Sequence, residues 1–338
     1  MNNTTFDTKF SSSGLCLGPQ NLASTSSNLS AVLIARVVVN ALTCPLITVL
    51  NILLLVAVRT KQQLRTKSNI ALACLATTDL VVGLVLQPLQ IASDISLLRG
   101  DIMFCTVIDL SKTVTLKCVL ASFHHLVLMS AERYLAIKHP FTHETQVTEV
   151  RIIMTSAAAW AAAIVLSSED LLATAIVLTF ETLLIILPIY FNVSVYKEVL
   201  RNSKQIAANQ VSLEAKEKLL KNKKAFYTTV IVLLVMLLCY IPTRISVVIL
   251  ISFKNRVAPN IRATAIYLLN LLPILNSLFN PLIYAARVRY FRVAFIQLLF
   301  RKPTAQVEEL ERKIFGIRKV GVNGGNVDSM ARKSNTEQ

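Results

Sequence analysis

The sequence predicts an all-α membrane protein, a seven-transmembrane helix bundle followed by a C-terminal amphipathic surface helix. Three observations predict it. Hydrophobic residues make up 54% of the 338 and charged residues only 16%, a balance seldom met in a soluble domain of this size. Apolar runs long enough to supply the about 20 residues that cross a hydrocarbon core recur seven times. The remaining charges, a formal net +16, gather in short stretches between those runs, where a surface of anionic membrane lipids would attract them.

Residues 1–30 are polar and rich in Asn, Ser and Thr. They read as an extracellular tail without a cleavable signal peptide, so that the first span carries insertion. The sequons at Asn2, Asn3 and Asn28 suit glycosylation there. The seven spans are expected at 31–58, 70–95, 104–137, 148–167, 171–197, 224–252 and 262–286, within one membrane domain of residues 31–286. Arg59, Lys61, Arg65 and Lys67 follow the first span, Lys138 and Arg151 flank the second loop on that side, and a run from Lys197 to Lys224 borders the third. The opposite loops carry Asp94, Arg99, Asp101, Glu169 and Asp170, with Lys254, Arg256 and Arg262 as the main exception. This bias puts the N-terminus outside and the C-terminus in the cytoplasm. In residues 287–301, Val288, Phe291, Phe295, Leu298 and Leu299 recur at helical spacing, as in a helix lying on the inner leaflet. Residues 302–338 turn polar and read as a largely disordered cytoplasmic tail.

Other function classes lack their residues. The six cysteines form no CxxC pair, and HExxH, GxSxG and P-loop motifs are missing, so no enzyme and no cofactor are expected. The basic residues do not interleave with stacking aromatics, so no nucleic-acid partner is expected either. His124 and His125 are adjacent, which turns them about 100° apart on a helix and favours packing or a hydrogen bond over metal ligation.

Polar side chains inside a bilayer are costly and call for a reason. The mid-span set is Asn51, Asp79, Ser122, Asn276, Ser277 and Asn280. Alongside it stand LACLATTD ending at Asp79, the triplet Glu132-Arg133-Tyr134, the lone Trp160, Pro188 with Tyr196, the segment Cys239-Tyr240-Ile241-Pro242, Asn280-Pro281-Leu282-Ile283-Tyr284 and, after it, Phe291. In this order, each in its own span, these residues resemble the rhodopsin-like (class A) G protein-coupled receptors.

The resemblance implies a plasma-membrane receptor that senses an extracellular small molecule, lipid or peptide and acts on a heterotrimeric G protein, with arrestin as a further partner. It implies a switch made of Glu132, Arg133, Tyr134, Tyr196, Asn280, Pro281 and Tyr284, and an allosteric sodium pocket made of Asp79, Ser122, Asn276, Ser277 and Asn280. The same residues leave a carrier open, with Asp79, Glu181, Lys117 and Arg244 as relay groups. The departures are equally specific. Tyr240 stands where the family has Trp and Met236 where it has Phe, and no acid between Lys218 and Lys224 could clamp Arg133, which predicts raised basal signalling. No cysteine lies between Trp160 and Pro188, so the family's disulfide from span three to the second outer loop is missing. An outer bridge is expected between Cys105 and Cys16 instead.

At the ligand side, Lys112, Thr115, Val119, Ser122, Leu126 and Arg133 fall in one broad arc of span three. Arg244 lies one turn outward of Tyr240, and Glu181 lies at similar depth in span five. The expected ligand pocket is therefore Lys112, Thr115, Val119, Glu181, Tyr240 and Arg244. Two readings stay open: a Glu181–Arg244 charge pair, or an anionic ligand group held by Arg244 and Lys112. Thr115 stands where amine-binding members of the family carry aspartate, so an amine anchored in that manner is not expected.

Overall fold

The computed structural model describes residues 27–99, 104–165, 171–208, 213–252 and 258–301, with isolated positions as far as 309. The chain divides into two compact units, residues 1–295 and 296–338. The bundle belongs to the first. Among the described residues all regular secondary structure is helical. Span one is α1 (Ser27–Thr60), followed by a 3₁₀ turn at Gln62–Leu64. Span two is α2 (Lys67–Val81), a π segment at Val82–Leu86 and α3 (Gln87–Arg99). Span three is α4 (Phe104–Lys138). The short α5 (Pro140–Gln146) precedes α6 (Glu149–Val165). Spans five and six are α7 (Leu171–Ala208) and α8 (Leu213–Ser252). Span seven is α9 (Pro259–Leu269) with α10 (Leu271–Arg287). Then comes α11 (Arg289–Phe300).

Among the described residues six helical stretches are long and apolar enough to cross a membrane, and the count is seven when α5 and α6, bent by 82° from each other, are taken as one span. The protein is thus a multi-pass membrane protein. In α6 the described helix of 17 residues, Glu149–Val165, falls at the short end of the about 17–25 that span a hydrocarbon core. Span one begins at Ser27, earlier than the expected boundary at 31, and this puts Asn28 exposed in the first helical turn. Asn2, Asn3 and Cys16 lie outside the described residues, as does the side chain of Cys105.

Within lipid every backbone carbonyl needs a partner inside the protein, and the prolines show how this chain supplies one. Pro281 has no N–H to give the carbonyl of Ser277, four residues back. Asn51 Nδ2 donates to that carbonyl from span one, at 3.2 Å. Pro273 leaves the carbonyl of Leu269 in the same position, and Thr243 Oγ1 donates to it from span six at 3.0 Å. In span two Pro88 follows the π segment, whose wider turn sends the Gln87 N–H to Val82. The carbonyl of Gly83 is met by Cys44 Sγ at 3.2 Å.

Packing follows the same economy of space. A Cβ on Gly83 would come within 2.7 Å of Thr48 Oγ1 and 3.2 Å of Ile47 Cγ2, so spans one and two touch where only glycine fits. Ile47, Val82, Leu86, Cys118 and Ile274 form a buried cluster joining spans one, two, three and seven. Leu120 and Ala121 meet Ala163, with Trp160 against them, and small residues of this kind let membrane helices approach closely. Val195, Val199 and Phe226 join spans five and six.

Candidate functional site

The mid-bundle polar residues converge. Asp79 is fully buried, and Ser122, Asn276, Ser277 and Asn280 are nearly so. Asn280 Nδ2 donates to Asp79 Oδ2 at 2.9 Å, and Ser277 is a further neighbour of the carboxylate. Asp79 Oδ1 and the side-chain oxygens of Asn276, Asn280 and Asn51 find no hydrogen-bond donor among the described residues. Four buried acceptors without donors are a costly arrangement.

At one end of span three lies the Glu132 cluster. The Glu132 carboxylate is buried and accepts from Ser68 Oγ at 2.6 Å and from His143 Nε2 at 2.9 Å, with Arg133 Nε at 3.6 Å. Arg133 has no other ion pair among the described residues, in keeping with the missing acid on span six. The loops at this end are tied together as well. Lys67 Nζ donates to the carbonyl of His143 at 3.1 Å and to Glu144 Oε2 at 3.3 Å. The Glu149 carboxylate, 2.8 Å from Arg65 Nη2, holds that guanidinium above its ordinary value through their hydrogen bond. Tyr284 is buried and meets Phe291 edge-on, with centroids 5.8 Å apart, and Pro281 is buried beside it in sequence. Tyr134 packs on Phe191 of span five at 5.2 Å. Tyr196, in contrast, is 46% exposed and stacks on Phe226 at 6.4 Å, part of the cluster against which Tyr134 packs.

At the other end a cavity of about 230 Å³ opens among spans one, two, three, six and seven. Lys112, Thr115, Val119, Tyr240 and Arg244 all line it. The side chain of Glu181 lies outside the described residues. Lys112 Nζ is 3.4 Å from Asp109 Oδ1. Tyr240 is buried and forms the link towards the middle, its ring 4.9 Å from that of Phe123, next to Ser122. Met236 is also buried. An aromatic contact between spans three and six thus exists, carried by Phe123 and Tyr240.

The sequence reasoning missed the first span's share of this cavity. Arg36 lines it and is only 3% exposed. Its Nε lies 3.2 Å from Asp94 Oδ2, close but not aligned as a hydrogen bond, since neither Asp94 oxygen has one. Its Nη1 donates to the carbonyl of Tyr267 at 3.2 Å, and its guanidinium sits over the Tyr267 ring at 4.8 Å. A polar chain continues from it: Arg36 Nη2 to Gln90 Oε1 at 3.5 Å, Asn40 Nδ2 to Gln90 Oε1 at 3.3 Å, and Gln87 Nε2 to Asn40 Oδ1 at 3.2 Å. Asp94, counted by charge with the outer loops, is instead fully buried in α3. The available signal was Arg36 itself, a charge inside an apolar run, which by default marks a site.

The adjacent histidines are used for packing. His125 donates from Nδ1 to the carbonyl of Ala121 at 2.6 Å, which leaves Nε2 to accept from Ser156 Oγ at 2.7 Å and fasten span three to span four. His124 Nδ1 bonds the carbonyl of Leu120 at 2.7 Å.

A family model described as 7 transmembrane receptor (rhodopsin family) matches residues 50–176 and 167–284. The chain is 30% identical to the D(1B) dopamine receptor of Xenopus laevis over 118 residues, 35% of this chain and 25% of that receptor. It is 33% identical to the 5-hydroxytryptamine receptor 6 of Mus musculus over 126 residues, 36% of this chain and 27% of that receptor. With the Histamine H2 receptor of Rattus norvegicus it shares 25% identity over 281 residues, 75% of each. The chain therefore aligns with about a quarter of the first two relatives and three-quarters of the third.

Proposed function

Since this chain belongs to the rhodopsin family of seven-transmembrane receptors, we propose that it is a plasma-membrane receptor that activates a heterotrimeric G protein when a compact anionic ligand enters its cavity. The N-terminus then lies outside the cell and the Glu132 end faces the cytoplasm, where an arrestin would also dock. One observation carries the ligand class. The cavity is lined by three cationic side chains, Arg36, Lys112 and Arg244, and by no acidic residue among its described lining, the carboxylates of Asp94 and Asp109 standing behind Arg36 and Lys112 at 3.2 and 3.4 Å. The relatives' names point to amines, and an ammonium group seeks a carboxylate. Arginine and lysine favour a carboxylate or phosphate.

The route from ligand to G protein follows the contacts. A ligand drawn to Arg244 and Lys112 presses on Tyr240, one turn below Arg244, and Tyr240 rests on Phe123. Spans three and six then shift against each other, and Arg133 leaves Glu132 for the G protein, a helix displacement of the kind that interfaces between packed rods allow. Asp79, Ser122, Asn276, Ser277 and Asn280 would hold a sodium ion. The fit rests on their all-oxygen chemistry and on the buried acceptors Asp79 Oδ1 and Asn276 Oδ1, because a hard cation takes oxygen ligands. Such an ion would supply positive charge to offset the buried carboxylate.

The test is nucleotide exchange on a panel of G proteins, driven by a library of small carboxylates, phosphates and amines. An anionic compound activates, Arg244→Glu lowers its potency about a hundredfold, and Arg133→Ala abolishes exchange while the compound still binds. Activation by amines alone, or full potency in Arg244→Glu, overturns the ligand assignment.

A further inference from the structure

We propose that the Glu132 end of the bundle also carries a binding site for one polyanionic lipid, an inositol phospholipid whose headgroup bears phosphate monoesters, in the cleft between α8 and the junction of α10 with α11. The cleft measures about 650 Å³, within the about 300–1,000 Å³ of small-molecule sites. Four cations line it: Lys223 and Lys224 from α8, Arg287 from the end of α10 and Arg292 from α11. No acidic residue is among its described lining. Arg292 Nη1 donates to the carbonyls of Ala286 at 2.9 Å and Ala285 at 3.4 Å, which fixes that guanidinium at the rim. Arg287 is the last residue of α10, and Val288 after it is extended.

The lipid, rather than an acidic peptide, is indicated by what adjoins the cations. On α8 the cleft residues Leu220 and Tyr227 are 64% and 39% exposed. From Tyr227 the exposed residues Leu234, Leu238 and Ile241 continue along the same helical face. Phe279 and Leu282 form a shorter exposed stripe on α10 that ends at Ala286 in the cleft. In a membrane protein such stripes face acyl chains. The cation cluster therefore sits at the end of two lipid-facing tracks, where a headgroup enters with its chains already alongside. Basic pockets between membrane helices select headgroups of high negative charge, and four converging cations exceed what the single net charge of phosphatidylserine can satisfy.

The side on which this site faces rests on the orientation proposed above. Its test needs neither ligand nor G protein, so its failure leaves the receptor reading untouched. The full chain is placed in nanodiscs of phosphatidylcholine alone, with phosphatidylserine, or with phosphatidylinositol bisphosphate at matched total charge. Retained lipid is counted by native mass spectrometry, and affinity is read by competition with a fluorescent inositol phospholipid. One bisphosphate lipid is retained, at least about tenfold tighter than phosphatidylserine, and soluble inositol trisphosphate competes only weakly. At roughly 1 kcal/mol per basic residue, each of Lys223→Gln, Lys224→Gln and Arg287→Gln weakens it about fivefold, and the three together about a hundredfold. If the triple variant melts early in phosphatidylcholine, exposed Lys224→Gln alone decides. Equal affinity for charge-matched phosphatidylserine, no change in the variants, or preferential capture of a polyglutamate peptide each overturns the proposal.

Discussion

The two ends of the bundle bury a carboxylate in opposite ways. Around Glu132 each oxygen has a donor, His143 on one and Ser68 on the other, with Arg133 close by. Around Asp94 neither oxygen has an aligned donor, although Arg36 lies 3.2 Å away. The first is a closed arrangement, with both oxygens supplied. The second is an unfinished one, in which a buried charge leans on a single neighbour. A buried pair of that kind is weak evidence of stability and strongly sensitive to the loss of one partner.

That contrast can be broken or sharpened by experiment. Asp94→Ala leaves the buried Arg36 guanidinium without its counter-charge, with only the Tyr267 carbonyl and Gln90 as hydrogen-bond partners, and is expected to destabilise the receptor by about 3–5 kcal/mol, read as a fall in the melting temperature of purified protein. The double variant Arg36→Met with Asp94→Leu should recover most of the loss, and a double variant as unstable as the single one would show that the pair is not the cause. Asp79, midway between the ends, comes next. Sodium chloride against choline chloride should stabilise the parent by about 2.7 kcal/mol at a hundredfold excess over the dissociation constant. Asp79→Asn should melt identically in both salts. A smaller effect is expected from His143→Ala, which removes one hydrogen bond to a charged group, worth about 1.5–3 kcal/mol. Basal nucleotide exchange should rise roughly tenfold or more if that bond restrains Glu132, and unchanged basal exchange would mean that Ser68 and Arg133 suffice. Smallest of all is Arg65→Gln. Its pair with Glu149 is exposed on both sides, and no measurable shift in melting is expected.

The spans, the mid-bundle polar set and the Glu132 triplet were legible in the sequence because each depends on local order along one helix. Lys112, Thr115 and Val119 share an arc of span three with Ser122 and Arg133, which marked that arc as facing the bundle, and all three line the cavity. What escaped were relations across helices. Arg36 and Asp94 come from different spans, and charge counting assigned Asp94 to a loop because it sits only five residues before Arg99. Phe123 could not be paired with Tyr240 before spans three and six were set side by side. The role of Asn51 was invisible for the same reason. Its amide answers a carbonyl freed by Pro281, two hundred and more positions away. Tyr196 was named from its motif position, which does not fix the direction in which a side chain points, and here it is 46% exposed.

The π segment at Val82–Leu86 has a phase consequence. A π turn accommodates about one residue more than an α turn, so everything after it is rotated backwards by about 100°. Gln87 would stand about 80° from the direction of Asp79 on an unbroken helix, and about 20° with the extra residue. Leu84 and Val85 are the exposed members of the bulge, and one residue there is surplus. Deleting either one would rewind the segment, turn Gln87 and Asp94 away from Asn40 and Arg36, and unzip spans one and two without altering a single polar side chain.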